Sequence, residues 1–390
     1  MPGEATVPER RFHYLQGEQP IGHYRAEHDA RREDCPVFHT SEHGGHWVVT
    51  RMAPLRELFG NPAVFSNSAL SLLDPSPEEL AIPMQLDPPL HTAWRKPLMG
   101  EFSPARARSL EGLVQRRCTE LIGSVLAAGE CDFVRDFAQR LPVAVYLDLL
   151  GLPQSELPRF LAWEEAALRP EDGGAGLPGV KAEMAEYFGE LVDRRRTDPG
   201  DDLVSRMLTW RIGDRPAERA ELLNVLFVLF IAGLDTISSH LSYAFHHLAT
   251  HPEDRKRVVA EPEIIPSAVE ELLRFYDIIL DGRRVTEDTE LAGCPMKKGD
   301  LVLLLSGAGN RDPREFDRAD EVVLDRSPNR HLTFGWGIHR CVGAHLARQE
   351  MQVAIREWHR HIPDYRVPEG FEVRERAFVQ LSVKSLPLHW

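Results

Sequence analysis

Residues 331–350 read His331-Leu-Thr-Phe-Gly-Trp-Gly-Ile-His-Arg-Cys-Val-Gly-Ala-His-Leu-Ala-Arg-Gln-Glu350, and the reading of the whole chain turns on them. One cysteine, Cys341, stands among glycines at 335, 337 and 343. Good helix formers follow it and predict a helix over 342–355. A thiol at a helix N-terminus meets unpaired backbone N–H groups and the positive end of the helix dipole, and both favour the thiolate. Glycines ahead of it let a loop turn back tightly and bring its amides near the sulfur.

Three uses of such a sulfur compete. It can be a buried structural cysteine, since free Cys is among the most buried residue types. It can join His339 and His345 around zinc, although a fourth ligand and a paired Cys-x2-Cys are missing nearby. Or it can ligate haem iron, which asks for a glycine-rich loop thin enough to lie flat under a macrocycle.

The motif Phe334-Gly335-x-Gly337-x-His339-x-Cys341-x-Gly343, with Ala347 in the following helix, resembles the haem-binding signature of the cytochrome P450 family. The resemblance extends over almost the whole chain and looks closest to bacterial, camphor-hydroxylase-like members. It implies a mostly α fold with small β-sheets (α+β) and a long central helix over haem b, whose axial ligand is the Cys341 thiolate. The implied activity is that of a haem-thiolate monooxygenase, which uses O2. Electrons would come from NAD(P)H through a ferredoxin reductase and an iron–sulfur ferredoxin.

Composition sets the wider frame. With 390 residues and 43% hydrophobic content, the chain suits a folded protein with a sizeable core. A formal charge of −14 argues against nucleic acid as the main partner. The five cysteines, 35, 118, 131, 294 and 341, are odd in number and scattered, as expected of reduced thiols in a cytoplasm. The first thirty residues lack the apolar run of a signal peptide or membrane anchor. No uncharged apolar run reaches the roughly 18–20 residues that span a bilayer. We therefore expect a cytoplasmic monomer of one domain, residues 1–390, with residues 1–15 as a disordered terminus.

Hydrophobic periodicity places helices near 20–34, 53–60, 90–100, 105–128, 134–151, 155–166, 178–196 and 201–211. Residues 36–40 and 47–50 read as a β-hairpin, and further strands are expected around 284–286, 291–296, 301–305 and 378–382. The glycine-rich run 173–179 reads as a surface loop.

The longest predicted helix, 218–250, would run for about 50 Å at 1.5 Å per residue. Its middle, 225–232, is apolar on every side. Gly233, Asp235 and Thr236 then interrupt it, at a cost of about 1 kcal/mol for the glycine and more for buried polar groups without partners. A bland account has the Thr236 hydroxyl bonded to the carbonyl four residues back and Asp235 on a wet edge. The resemblance instead makes Ala232-Gly233-x-Asp235-Thr236 an oxygen-activating segment, where a distorted helix opens a groove and the acid and alcohol deliver protons.

Other assignments follow from the same resemblance. Glu271 and Arg274, three apart on one helix face, would join Arg326 in a buried Glu-Arg-Arg network. His91, Arg95, Arg283 and His339 would hold the haem propionates, with bidentate arginine suited to carboxylate. By correspondence, Val228, Ile231, Ile278, Ile279, Val379 and Gln380 would line the pocket for a small apolar substrate, terpenoid-like or aromatic. No tyrosine stands in 78–83 where a camphor hydroxylase holds its ketone, and Glu79 there reads as solvated. Arg340, Arg95, Lys96, Arg106 and Arg108 would form a positive docking patch. The rivals are a haem-thiolate sensor that binds without turnover, and a hydrolase using Cys341 as nucleophile.

Overall fold

The central apolar run forms a 32-residue helix, Arg219–Thr250. A capping box starts it: the Glu221 side chain accepts the Glu218 N–H at 2.8 Å, and Glu218 caps in return. Pro252, which opens the next helix, Pro252–Ala260, ends it. Among the described residues it is the one helix long and apolar enough to cross a membrane, yet 56% of its most apolar window is buried. Helices Arg140–Leu149, Leu177–Thr197, Ile265–Phe275 and Ala344–His361 pack around it, as does strand Leu381–Val383. The chain is a computed structural model that describes residues 7–168 and 177–390. Most of the predicted loop at 173–179 lies outside those residues.

Two sheets bring distant residues to the long helix. The five-stranded sheet runs Val37–Thr40, His46–Val49, Leu301–Leu304, Asp281–Val285, Phe65–Ser66. Its one parallel pairing sets Val302 beside Trp47 and Leu304 beside Val49, and its fourth strand carries Arg283. The three-stranded sheet, Glu18–Pro20, Arg374–Ala377, Leu381–Val383, presents the turn 378–380. The main apolar core takes residues from Phe12 to Leu388.

Several expectations needed correction. Phe12 and Tyr14, expected in a disordered terminus, are 1% and 3% exposed and belong to the core. The predicted helix 105–128 is two helices, Pro104–Ser109 and Glu111–Val125, which meet at Leu110, the C-cap of the first and the N-cap of the second, whose side chain is buried. Residues 134–138 form a wider π turn before Arg140–Leu149, where the Asp132 side chain takes the Val134 N–H and competes with the regular helical pattern. Residues 291–296 belong to a hairpin of Thr289–Leu291 and Cys294–Met296, turned by Gly293 at φ +82. All five cysteines are free.

Candidate active site

The cysteine loop is shaped by its own backbone. Gly335 N–H donates to Leu332 O at 2.7 Å and Cys341 N–H to Phe334 O at 2.8 Å, folding the loop back on itself. Gly335 and Gly337 sit at φ +67 and +71, in the left-handed region. A Cβ at Gly337 would lie 2.6 Å from Phe59 O, so only glycine fits between the loop and its neighbour. The helix that follows, Ala344–His361, starts two residues later than predicted, with Gly343 at its N-cap.

The Cys341 sulfur looks into a cavity, which makes it accessible there although protein encloses it. Burial raises its pKa, and the Gly343 N–H, Arg95, Arg348 and Arg340 oppose this without cancelling it. In the protein without a bound cation, burial therefore outweighs the pull of the helix end and loop amides toward the thiolate. The sulfur stands ahead of the helix, and one amide does not replace the water it has lost. A bound metal ion would deprotonate such a thiol outright.

That cavity encloses about 350 Å³ between the long helix and the cysteine loop. Val228, Ile231, Ala232, Gly233, Asp235 and Thr236 line it on the helix side, and Phe334, Gly335, Cys341, Gly343 and Ala347 from the loop and its helix. His91 and Arg95 from helix Leu90–Glu101, Arg283 from its strand and His339 from the cysteine loop come together on its wall from three separate parts of the chain. The His91 and His339 rings are 4.1 Å apart, and both nitrogens of His91 and Nε2 of His339 are buried without a hydrogen-bond partner. Burial, then the neighbouring His91 and arginines, pushes His339 down to about 3. Burial likewise lowers Arg283, against the pull of Asp281 3.9 Å away. Unpartnered donors concentrated in this way are costly unless an anion meets them. The set fits a flat macrocycle with two carboxylates at one edge and a sulfur ligand on one face.

The acid and alcohol are also in place. Asp235 is 2% exposed, so the wet-edge account fails for it. The Thr236 hydroxyl does donate to Ala232 O at 3.0 Å, which leaves its lone pairs free to accept. The helix is continuous across these residues, contrary to the expected local opening, but a Cβ on Gly233 would meet nothing within 4 Å. Open space thus lies beside an unbroken helix at Gly233.

Of the six expected pocket residues, Val228, Ile231, Ile279, Val379 and Gln380 line the cavity. Ile278 does not: it is 1% exposed in the core, and its carbonyl takes the Leu381 N–H at 2.9 Å. The strand-like alternation of side chains turns Ile279 inward and its neighbour away. Glu79 points to solvent and pairs with Lys181 at 3.0 Å. Nearby, Asn224 accepts the Ile82 N–H at 2.8 Å and donates to Leu80 O at 3.1 Å, fastening this loop to the long helix.

Sequence reading missed polar residues of the lining, Glu350 and His240 among them. Burial pushes Glu350 up to about 8 and His240 down to about 3, and each keeps one buried side-chain atom without a partner. A signal existed for Glu350, which shares a helix face with Leu346, Ala347, Val353 and Ala354. His240 lies one turn beyond Thr236 on a helix buried nearly all round, where periodicity marks no polar face.

The buried network is complete. Glu271 accepts from Arg274 at 2.8 Å through both nitrogens and from Arg326 at 3.0 Å, with Val323 N–H and Asn329 filling the carboxylate. On the outer side, Arg340, Lys96 and Arg108 are exposed and Arg106 is half-buried. Arg348, Arg340 and Arg108 all add to the burial that lowers His345, so this histidine stands among cations, a poor setting for zinc. Arg95 turns inward and donates to Arg340 O, which removes it from the expected patch.

Comparison with known proteins agrees with this geometry. Residues 182–358 match the family model described as Cytochrome P450. The chain is 35% identical over 354 residues to the mycinamicin IV hydroxylase/epoxidase of Micromonospora griseorubida, covering 88% of this chain and 89% of that protein. It is 32% identical over 352 residues to the pentalenic acid synthase of Streptomyces avermitilis, covering 87% of each. The crystal structure of CYP101J2 superposes with a TM-score of 0.89 at 31% identity, covering 98% of both chains. That of CYP101C1 gives 0.89 at 32% identity over 99% of both. A haem-thiolate monooxygenase is the class these findings define. The chain belongs to the cytochrome P450 family, whose cofactor is haem with a cysteine thiolate as axial ligand.

Proposed function

We propose that the protein, acting as one domain in the cytoplasm, inserts one atom of O2 into a small, largely apolar substrate, terpenoid-like or aromatic. The observation that carries this reading is one cavity with a buried acid and alcohol on its helix wall, a lone thiol on its loop wall, and aliphatic side chains between. Cys341 would be the axial ligand, and His91, Arg95, Arg283 and His339 would hold the propionates. Bound haem supplies the activation of dioxygen. The chain's own residues exclude bulk water, orient the substrate against Val228, Ile231, Ile279 and Val379, and move protons. Asp235 would relay a proton through its carboxyl group, and the Thr236 oxygen, its own proton committed to Ala232 O, accepts a hydrogen bond beside it. A sensor without turnover has no use for this pair. The pentalenic acid synthase relative is named for a product acid and the mycinamicin relative for hydroxylation and epoxidation, which supports oxidative chemistry without fixing the substrate.

The test is direct. Purified protein, reduced and treated with carbon monoxide, should give the far-red-shifted haem-thiolate band. With a surrogate ferredoxin and reductase, NADH should drive oxygen insertion into members of a terpenoid and aromatic library chosen by the spin-state shift of the resting haem. A colourless protein would sink the reading. Thr236→Ala is expected to retain haem while product per NADH falls about tenfold and peroxide rises to match. Unchanged coupling would remove Thr236 from proton delivery.

An iron–sulfur ferredoxin, typically acidic, would dock on the outer face of the cysteine loop, where Arg340 and Arg108 flank Trp336 and Ile338, 47% and 41% exposed. Replacing Arg340 and Arg108 together by glutamine should slow reduction by the ferredoxin about tenfold at low ionic strength and flatten its salt dependence. Reduction that stays equally fast and equally salt-sensitive places the docking face elsewhere.

A further inference from the structure

The side chain of Gln380 does more than fill the pocket wall. It is 6% exposed, and its Nε2 donates to Asp235 Oδ2 at 2.9 Å and lies 3.3 Å from Ser239 Oγ. The carboxylate accepts only, so the amide must present its N–H2 there: the opposite orientation would set two oxygens against each other. A hydrogen bond from an amide N–H to a carboxyl oxygen in a dry site is stronger than the same bond in water.

The backbone behind this amide is rigid. Gln380 O accepts the Phe378 N–H at 3.0 Å, Gln380 bridges to Ile279, and the next residue, Leu381, donates to Ile278 O at 2.9 Å. Gln380 is therefore held from the sheet side, while Asp235 belongs to the long helix 145 residues earlier in the chain. Val379, its neighbour in the turn, is 37% exposed into the cavity. One turn thus carries both a wall of the substrate pocket and a fixed donor to the acid.

We propose that Gln380 is a positioning residue: its amide holds the Asp235 carboxylate beside Thr236, and so links the wall that meets substrate to the group that delivers protons. This rests on the proton-delivery reading of Asp235 given above. Replacing Gln380 by an apolar residue of similar length removes this fixed donor and loosens the placement of the carboxylate, so protons arrive late while substrate still binds. Replacing it by glutamate makes the effect depend on pH, because a protonated acid still donates to Asp235 and an ionised one repels it.

The experiment uses haem-loaded full-length protein, a surrogate ferredoxin system and limonene as the probe. For Gln380→Leu, product per NADH should fall about fivefold to tenfold, while the dissociation constant from the spin-state shift stays within about twofold. For Gln380→Glu, coupling should approach the native value near pH 5.5 and drop to that of the leucine variant near pH 8. Native coupling in Gln380→Leu, or a loss that only tracks weaker binding, overturns the proposal, as does a pH-independent Gln380→Glu. Asp235→Asn separates the two readings. If it couples normally, the proton-delivery role itself fails; if it uncouples and Gln380→Leu does not, only the positioning role fails. Should limonene not turn over, the infrared carboxylate band assigned by difference with Asp235→Asn decides. It should shift in Gln380→Leu, and an unmoved band refutes the contact.

Discussion

Cys341→Ala is expected to abolish the far-red-shifted band of the reduced, carbon monoxide-treated protein and to bring NADH-driven oxygen insertion to background. The loop geometry explains why no other side chain takes over. The backbone from Leu332 to Cys341 is closed by the Gly335 and Cys341 amides, and glycine at 337 is forced by Phe59 O, so the loop cannot slide to present a neighbour. The nearest histidines have other neighbours: His339 packs against His91, their rings tilted by 49°, and His345 lies among arginines. Burial raises the free thiol and a bound cation favours the thiolate, so metal binding should release a proton. The check is an absorbance spectrum of variant and parent at equal protein concentration. A variant that keeps the parent's colour and band would end the assignment of Cys341 as ligand.

Glu271→Ala should have the second largest effect, on folding and haem loading more than on chemistry. Removing this carboxylate leaves Arg274, with a wholly buried side chain, and Arg326 without their acid, a loss of about 3–5 kcal/mol for a buried pair of this kind. Against a typical total stability of about 5–15 kcal/mol, little folded protein should remain. Arg274 also donates to the carbonyls of Asn310, Ala319 and Glu321, and Glu271 takes the Val323 N–H, so the pair fastens the segment that leads into the cysteine loop. The expected result is a low ratio of haem to protein absorbance and an early unfolding transition in urea. Normal loading and a native transition would show that the network is dispensable.

Much of the site was legible because it depends on local rules. Glycine spacing around Cys341 reports positive φ and close approach, and three-residue spacing places Glu271 and Arg274 on one helix face. What failed were features set by neighbours distant in the chain. Ile278 and Ile279 look alike in sequence, and only strand pairing decides which one faces the cavity. Arg95 was expected both at the propionates and in the surface patch, and only its place on the cavity wall beside the Arg340 carbonyl separates the two. The amino-terminal segment read as polar and disordered, yet Phe12 and Tyr14 find apolar partners.

The contact between Gln380 and Asp235 shows the same division most sharply. Sequence alone determined the long apolar helix, its interruption by Gly233, Asp235 and Thr236, and the cysteine loop, because each follows from residue types a few positions apart. Only the tertiary structure decided which side chains from remote strands meet that helix, and that the sulfur is raised by burial. Hydrogen bonds and desolvation act over a few ångströms in space, and the chain order of the residues that come that close carries no record of it.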